Sequence, residues 1–311
     1  MQIETVSIIG LGALGVLFGE HLADRMPAGS LRVIADRERI TRYRQEGIFC
    51  NGRCCDFNYV TPQENVGPAD LIIFAVKYGG LQEAITAVRK QAGKDTIFLS
   101  LLNGISSEEI IAGTYGADHV LYSVAQGMDA VRNGNRVDYA HMGMICCGDR
   151  QPGIVSADAQ AVEDFFTAVE LPHQLDIDMY RRLWGKFMLN VGVNQAVALL
   201  GSTYGDVQRE GRAREAMIAA MGEVIALSKT ESIHLGEEDL HYWLQVVGTL
   251  SPVGKPSMRQ DVEAGRPTEL ELFAGAVIRL GEKHGLSTPV NRMLYDGIRD
   301  LENRNPNGSG H

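Results

Sequence analysis

Short apolar runs alternate with amphipathic stretches through the first half of the chain, and longer amphipathic stretches fill the second half. Residues 5–9 (TVSII) form a β-branched run that predicts a buried strand. Residues 31–35, 70–76 and 96–101 are three more runs of this kind, with helical spacing up to about residue 25 and over 81–91 between them. Such alternation predicts a parallel sheet with helices on both faces. Three shorter runs follow at 120–124, 136–139 and 142–147, separated by glycine and asparagine turns, and predict an antiparallel or mixed extension of the sheet. A helix over 157–169 and a short strand over 173–175 close this part. Beyond residue 176 strand signals disappear, and 179–200, 211–231, 237–250, 269–284 and 286–301 all carry helical spacing. The pattern predicts an α/β chain with one domain over 1–175 and an all-helical domain over 176–311. Within the latter, about 303–311 reads as a flexible tail.

The first strand runs into Gly10-Leu11-Gly12-Ala13-Leu14-Gly15, a G-x-G-x-x-G sequence that opens a helix. In that context the first glycine permits a tight turn, the second lets a pyrophosphate approach the backbone, and the third brings helix and strand close. The free N–H groups of the helix start favour a phosphate. The 1–175 domain is therefore expected to be a Rossmann-type dinucleotide-binding domain. Asp36 ends the second strand, 21 residues after Gly15, where an acid can accept from a ribose 2′-hydroxyl and favour NAD. Arg37 follows at once, and an arginine there can hold the 2′-phosphate of NADP instead. Lys77 and Asn103 each follow a strand, and the carboxyl ends of such strands line the ligand crevice. Lys77 is a candidate for ribose or phosphate, and Asn103 for nicotinamide and substrate. Each has a plainer reading, as a surface lysine and as part of an Asn-Gly turn.

The helical stretch 179–200 is apolar except for a repeated polar position. Lys186, Asn190 and Asn194 are spaced by four residues, and four residues drift only about 40° around a helix. They form one polar stripe about 12 Å long. An ammonium and two amides on an apolar helix need a polar partner, and a substrate would supply one. Together with the glycine loop, the stripe points to a reductase. Ser257 and Asn190 are candidates for a substrate carboxylate or distal hydroxyl. Ser257 alternatively suits a helix cap before 258–264, and Glu269 suits the start of the helix over 269–284.

Charge and cysteine usage narrow the picture further. A net charge of −10 argues against nucleic acid or an anionic membrane as partner, because both need a basic face. No secretory signal is visible, and apolar runs fall short of the ~20 residues that cross a bilayer. The five cysteines include two adjacent pairs and no C-x-x-C, which fits reduced thiols in a cytoplasmic protein rather than a disulfide framework or a metal site. Apolar faces on the helical domain leave room for a homodimer.

On these motifs the chain resembles the ketopantoate reductase (2-dehydropantoate 2-reductase) family over about residues 3–302. The shared pieces are the glycine loop, Val76-Lys77, Asn103-Gly104, Trp184-Gly185-Lys186-Phe187 with Asn190 and Asn194, Ser257-Met258-Arg259-Gln260-Asp261 and Pro267-Thr268-Glu269-Leu270-Glu271. The resemblance implies NADPH-dependent reduction of 2-dehydropantoate to (R)-pantoate, a step of pantothenate biosynthesis, with Lys186 as proton donor. It implies that Asn103, Asn190, Asn194, Ser257 and Glu269 surround a 2-keto acid and that Lys77 helps hold the cofactor. Two positions depart from the family pattern: Asp36 stands where an arginine is common, and Gly254 stands where an asparagine is common. Other readings consistent with the residues are a β-hydroxyacid or opine-type dehydrogenase, a reductase of another 2-keto acid, and a non-catalytic NADP-binding sensor.

Overall fold

The computed structural model describes residues 1–304. It divides into two compact units, Met1–Tyr180 and Arg181–His311.

In the first unit the strands are β1 (Val6–Ile9), β2 (Leu31–Ile34), β3 (Phe49–Cys50), β4 (Arg53–Cys54), β5 (Tyr59–Val60), β6 (Leu71–Phe74), β7 (Ile97–Ser100), β8 (Val120–Gln126), β9 (Val131–Asn133), β10 (Arg136–Asp138), β11 (Met144–Gly148) and β12 (His173–Leu175). The helices between them are α1 (Ala13–Arg25), α2 (Arg37–Glu46), α3 (Leu81–Ala87), α4 (Ser107–Tyr115) and α5 (Ala157–Ala168). Eight strands make one sheet in the order β12-β11-β8-β7-β6-β1-β2-β5. From β5 to β8 every pairing is parallel, β11 then runs antiparallel to β8, and β12 runs parallel to β11. The expected mixed extension is therefore present.

The central strands are continuous apolar runs because both of their faces are covered. Along β6, Leu71 and Ile73 pack with Val16 and Leu17 of α1 and Phe166 of α5, in one core. Ile72 and Phe74 alternate onto the other face, with Leu81 and Ile85 of α3 and Ile111 of α4. This is the two-residue period of a strand read on two buried faces. The run at 136–139 behaves otherwise. Its strand, β10, leaves the main sheet and joins a second one, ordered β4-β3-β10-β9.

The second unit is helical: α6 (Met179–Leu200, beginning two residues before the division), α7 (Tyr204–Gln208), α8 (Arg212–Ser228), α9 (Glu237–Thr249), α10 (Ser257–Glu263), α11 (Ala274–His284) and α12 (Pro289–Arg304). Two expectations need correction. The helix expected from Glu269 begins only at Ala274, and residues 269–273 form turns in which Phe273 holds φ −102 and ψ −91. Residues 303 and 304, expected in a tail, belong to α12; the rest of that segment lies outside the described residues. Among the described residues no helix is long and apolar enough to cross a membrane.

Candidate active site

The glycine loop joins β1 to α1. Gly10 holds φ +100, and a Cβ there would lie 2.7 Å from the carbonyl carbon and oxygen of Ala75. A Cβ at Gly15 would lie 1.8 Å from the Gly10 carbonyl oxygen, so α1 can start where it does only without a side chain. Gly12 is different. A Cβ there would meet a single atom, the Ala75 carbonyl oxygen, at an ordinary 3.6 Å. Packing demands glycine at positions 10 and 15 but not at 12, the N-cap of α1, where a pyrophosphate would approach the helix start. The loop thus fits a dinucleotide on the geometry of its own backbone.

Around it stand the other cofactor candidates. Asp36 follows β2 and is the N-cap of α2. Its Oδ1 accepts from the Arg39 backbone N–H at 2.7 Å, and its Oδ2 lies 3.3 Å from Arg39 Nε. The carboxylate that the sequence offers to a ribose is also a helix cap. Arg37, the first residue of α2, is exposed. Lys77 is exposed at the N-cap of a single 3-10 turn beyond β6. Asn103 is half-buried in the loop after β7, next to Gly104 at φ +93.

The polar stripe lies on α6. Lys186 and Asn190 are half-buried and Asn194 is 6% exposed. Two glycines set the orientation of this helix within its unit. A Cβ on Gly185 would lie 2.3 Å from Trp243 Nε1 of α9, and one on Gly192 would lie 2.6 Å from Met221 Cγ of α8. Seven residues apart, the two glycines share a face, and the stripe begins roughly 100° around the helix from it. The amides are linked along the stripe, with Asn194 Nδ2 donating to Asn190 Oδ1 at 3.3 Å.

Ser257 joins this group. It is the first residue of α10, whose N-cap is Pro256, so it does not cap the helix as the sequence allowed. Its hydroxyl instead donates to Asn194 Oδ1 at 3.4 Å, and the Met258 N–H reaches the same oxygen at 3.4 Å. Asn190, Asn194 and Ser257, 67 positions apart along the chain at the extremes, are thus one hydrogen-bonded row. Glu269 is half-buried in the turns before α11 and is not that helix's cap, which is Phe273. Its neighbour Thr268 is held by Glu302 of α12, through the hydroxyl at 2.7 Å and the backbone N–H at 2.9 Å. Gly254 faces the ring of Tyr204, where a Cβ would lie 2.9 Å from Cδ2. That ring fills the space a side chain at 254 would take.

One residue escaped the sequence reading. Glu108, in the first turn of α4, reads as an ordinary solvated acid at a helix start, yet it is 0% exposed. Only the flanking serines, Ser100, Ser107 and Ser123, all buried, hint at a polar interior.

Known proteins resemble this chain along most of its length. The family described as ketopantoate reductase PanE/ApbA matches residues 6–152, and its C-terminal counterpart matches residues 178–302. The 2-dehydropantoate 2-reductase of Streptococcus pyogenes serotype M1 is 26% identical over 303 residues, covering 96% of this chain and 97% of its own. Among solved structures, a PanE/ApbA family ketopantoate reductase from Ralstonia eutropha JMP134 has a TM-score of 0.83 at 23% identity, covering 97% of this chain and 99% of its own. D-mandelate dehydrogenase, solved with NADH and anilino(oxo)acetate, has a TM-score of 0.85 at 21% identity over the same shares. The two family matches together span most of the chain and include both the glycine loop and the stripe, so the chain belongs to the ketopantoate reductase family of oxidoreductases.

Proposed function

We propose that this protein reduces 2-dehydropantoate to (R)-pantoate with NADPH, and that Lys186 is the general acid. The observation that carries the reading is the hydrogen-bonded row Asn190, Asn194 and Ser257, with Asn190 and Asn194 on the same stripe of α6 as Lys186. A reduced nicotinamide dinucleotide, when bound, supplies hydride to the ketone carbon. As charge grows on the carbonyl oxygen, the Lys186 ammonium stabilises it and then donates a proton. An ionised Glu269 favours the charged, oriented lysine. Asn190, Asn194 and Ser257 hold the carboxylate and distal hydroxyl of the keto acid. The Gly10–Gly15 loop receives the pyrophosphate, Lys77 the ribose or phosphate, and Asn103 the nicotinamide and the substrate. Arg37 receives the 2′-phosphate, a reading supported by the engagement of Asp36 in capping α2. A cytoplasmic homodimer is part of the same reading.

A second reading has specific support. Asp36 keeps a carboxylate at the end of β2, and Gly254 with Tyr204 puts an aromatic edge where an asparagine is common in the family. Both features suit an NADH-dependent reductase of a less polar 2-keto acid, and the likeness to D-mandelate dehydrogenase with NADH adds to it. A panel of 2-keto acids, each run with NADPH and with NADH, separates the two. The first reading expects the highest kcat/KM for ketopantoate with NADPH. An aryl keto acid preferred with NADH would replace it with the second.

A further inference from the structure

Beneath the Asn103 loop lies a buried polar chain that the reaction above does not use. The Leu102 N–H donates to Ser100 Oγ at 3.3 Å, the Ser100 hydroxyl to Ser107 Oγ at 2.7 Å, and the Ser107 hydroxyl to Glu108 Oε2 at 2.8 Å. Ser123 of β8 closes the network. Its backbone N–H favours the ionised Glu108 carboxylate, and its hydroxyl donates to the Ser100 carbonyl. Ser100 and Ser107 are 1% exposed, and Ser123 and Glu108 are 0% exposed. Glu108 Oε1 is buried with no hydrogen-bond partner among the described residues. A carboxyl in such a place is costly to keep, which calls for a role beyond filling space. The chain of bonds ends at the root of loop 101–106, which carries Asn103 and Gly104.

We propose that Glu108 is a positioning residue for this loop: acting through Ser107 and Ser100, its carboxyl holds the backbone at Leu102 and so sets where Asn103 stands. The inference rests on the assignment of Asn103 to cofactor and substrate made above. Burial pushes the Glu108 carboxyl up to about 7. The charged and titratable groups around it are few. Glu109 raises it further, Arg150 pairs with Glu109 at 3.3 Å, and Tyr122 has its own hydroxyl pushed far up by burial. Hydrogen bonds to an ionised carboxylate are stronger than those to a neutral acid, so the tie tightens as pH rises through neutrality.

The test follows the backbone amide resonances of Leu102, Asn103, Gly104 and Ser123 in the whole protein, titrated from about pH 5.5 to 8.5. In the wild type all four should shift with a midpoint near 7, and in Glu108→Gln all four should stay flat. In Ser107→Ala the Ser123 amide, which acts on the carboxylate without passing through Ser107, should still titrate while the loop amides fall silent. Flat loop amides in the wild type, or the same loop titration in either variant, overturn the proposal. In turnover assays at pH 8, Glu108→Gln should lower kcat about two- to tenfold, the span of one hydrogen bond. Undiminished turnover in Asn103→Ala would remove the earlier assignment of Asn103, while the amide titrations still decide for or against Glu108.

Discussion

At the scale of single residues, the glycine loop separates folding from binding. Gly10 and Gly15 are glycines because the chain itself occupies the space of a Cβ. Gly12 is free of that constraint, and in the proposed reading a glycine there serves the approach of the dinucleotide. Gly12→Ala should therefore shift Tm by only a few degrees, in keeping with less than about 1 kcal/mol, while weakening dinucleotide binding tenfold or more. Thermal melts and cofactor titration check both halves, and a variant that binds normally would detach Gly12 from the cofactor. Glu108 makes a second residue-level prediction. Its folded pKa, about 7, lies above the ordinary 4.5, so its contribution is fully present below pH 4.5 and is lost as pH rises through 7. A shift of that size corresponds to roughly 3 kcal/mol. Glu108→Gln should remove that part of the pH dependence, seen as a smaller stability difference between pH 5 and pH 8 in denaturant unfolding.

At the scale of elements, α6 owes its place to small residues. The Gly185 and Gly192 face admits Trp243 and Met221 closer than any side chain would allow. Gly185→Ala should destabilise by about 1–3 kcal/mol, the usual cost of overpacking, and should also lower turnover by rotating the polar stripe. A variant of unchanged Tm would mean that the Trp243 contact is not tight. Elements of this kind were also the legible ones. The 22 residues of α6 and the double-faced apolar strands β1, β6 and β7 carry periods long enough to read. β3, β4 and β5 have two residues each and show no period at all. β10, expected in the extension of the main sheet, joins the second sheet instead, because its partner β3 lies far away in sequence and pairing is not a local property. The start of α11 was misread for a different reason. Leu270, Phe273, Ala274 and Val277 keep helical spacing, but Thr268 is tied to Glu302 and the chain turns before the helix begins.

At the scale of the whole molecule, the proposed chemistry is divided between the two units, with the glycine loop in the first and Lys186 in the second. Spacing on α6 was enough to bring Lys186, Asn190 and Asn194 together on paper. The addition of Ser257 from α10 became visible only in the fold, since nothing local joins positions 194 and 257. Glu108 stayed hidden because the first turn of a helix is where a solvated acid is ordinary. The net charge of −10 gives a distant anion no general attraction, so in the proposed reading affinity for the keto acid comes from the local row of amides, hydroxyl and ammonium. The most direct test of the central claim is the rate of NADPH absorbance loss on adding ketopantoate, compared between the wild type and Lys186→Ala, with NADPH affinity measured alongside. Turnover lower by roughly 10²–10⁴ in the variant, the range for a lost general acid, is expected, with cofactor binding retained. Turnover close to that of the wild type would contradict the claim.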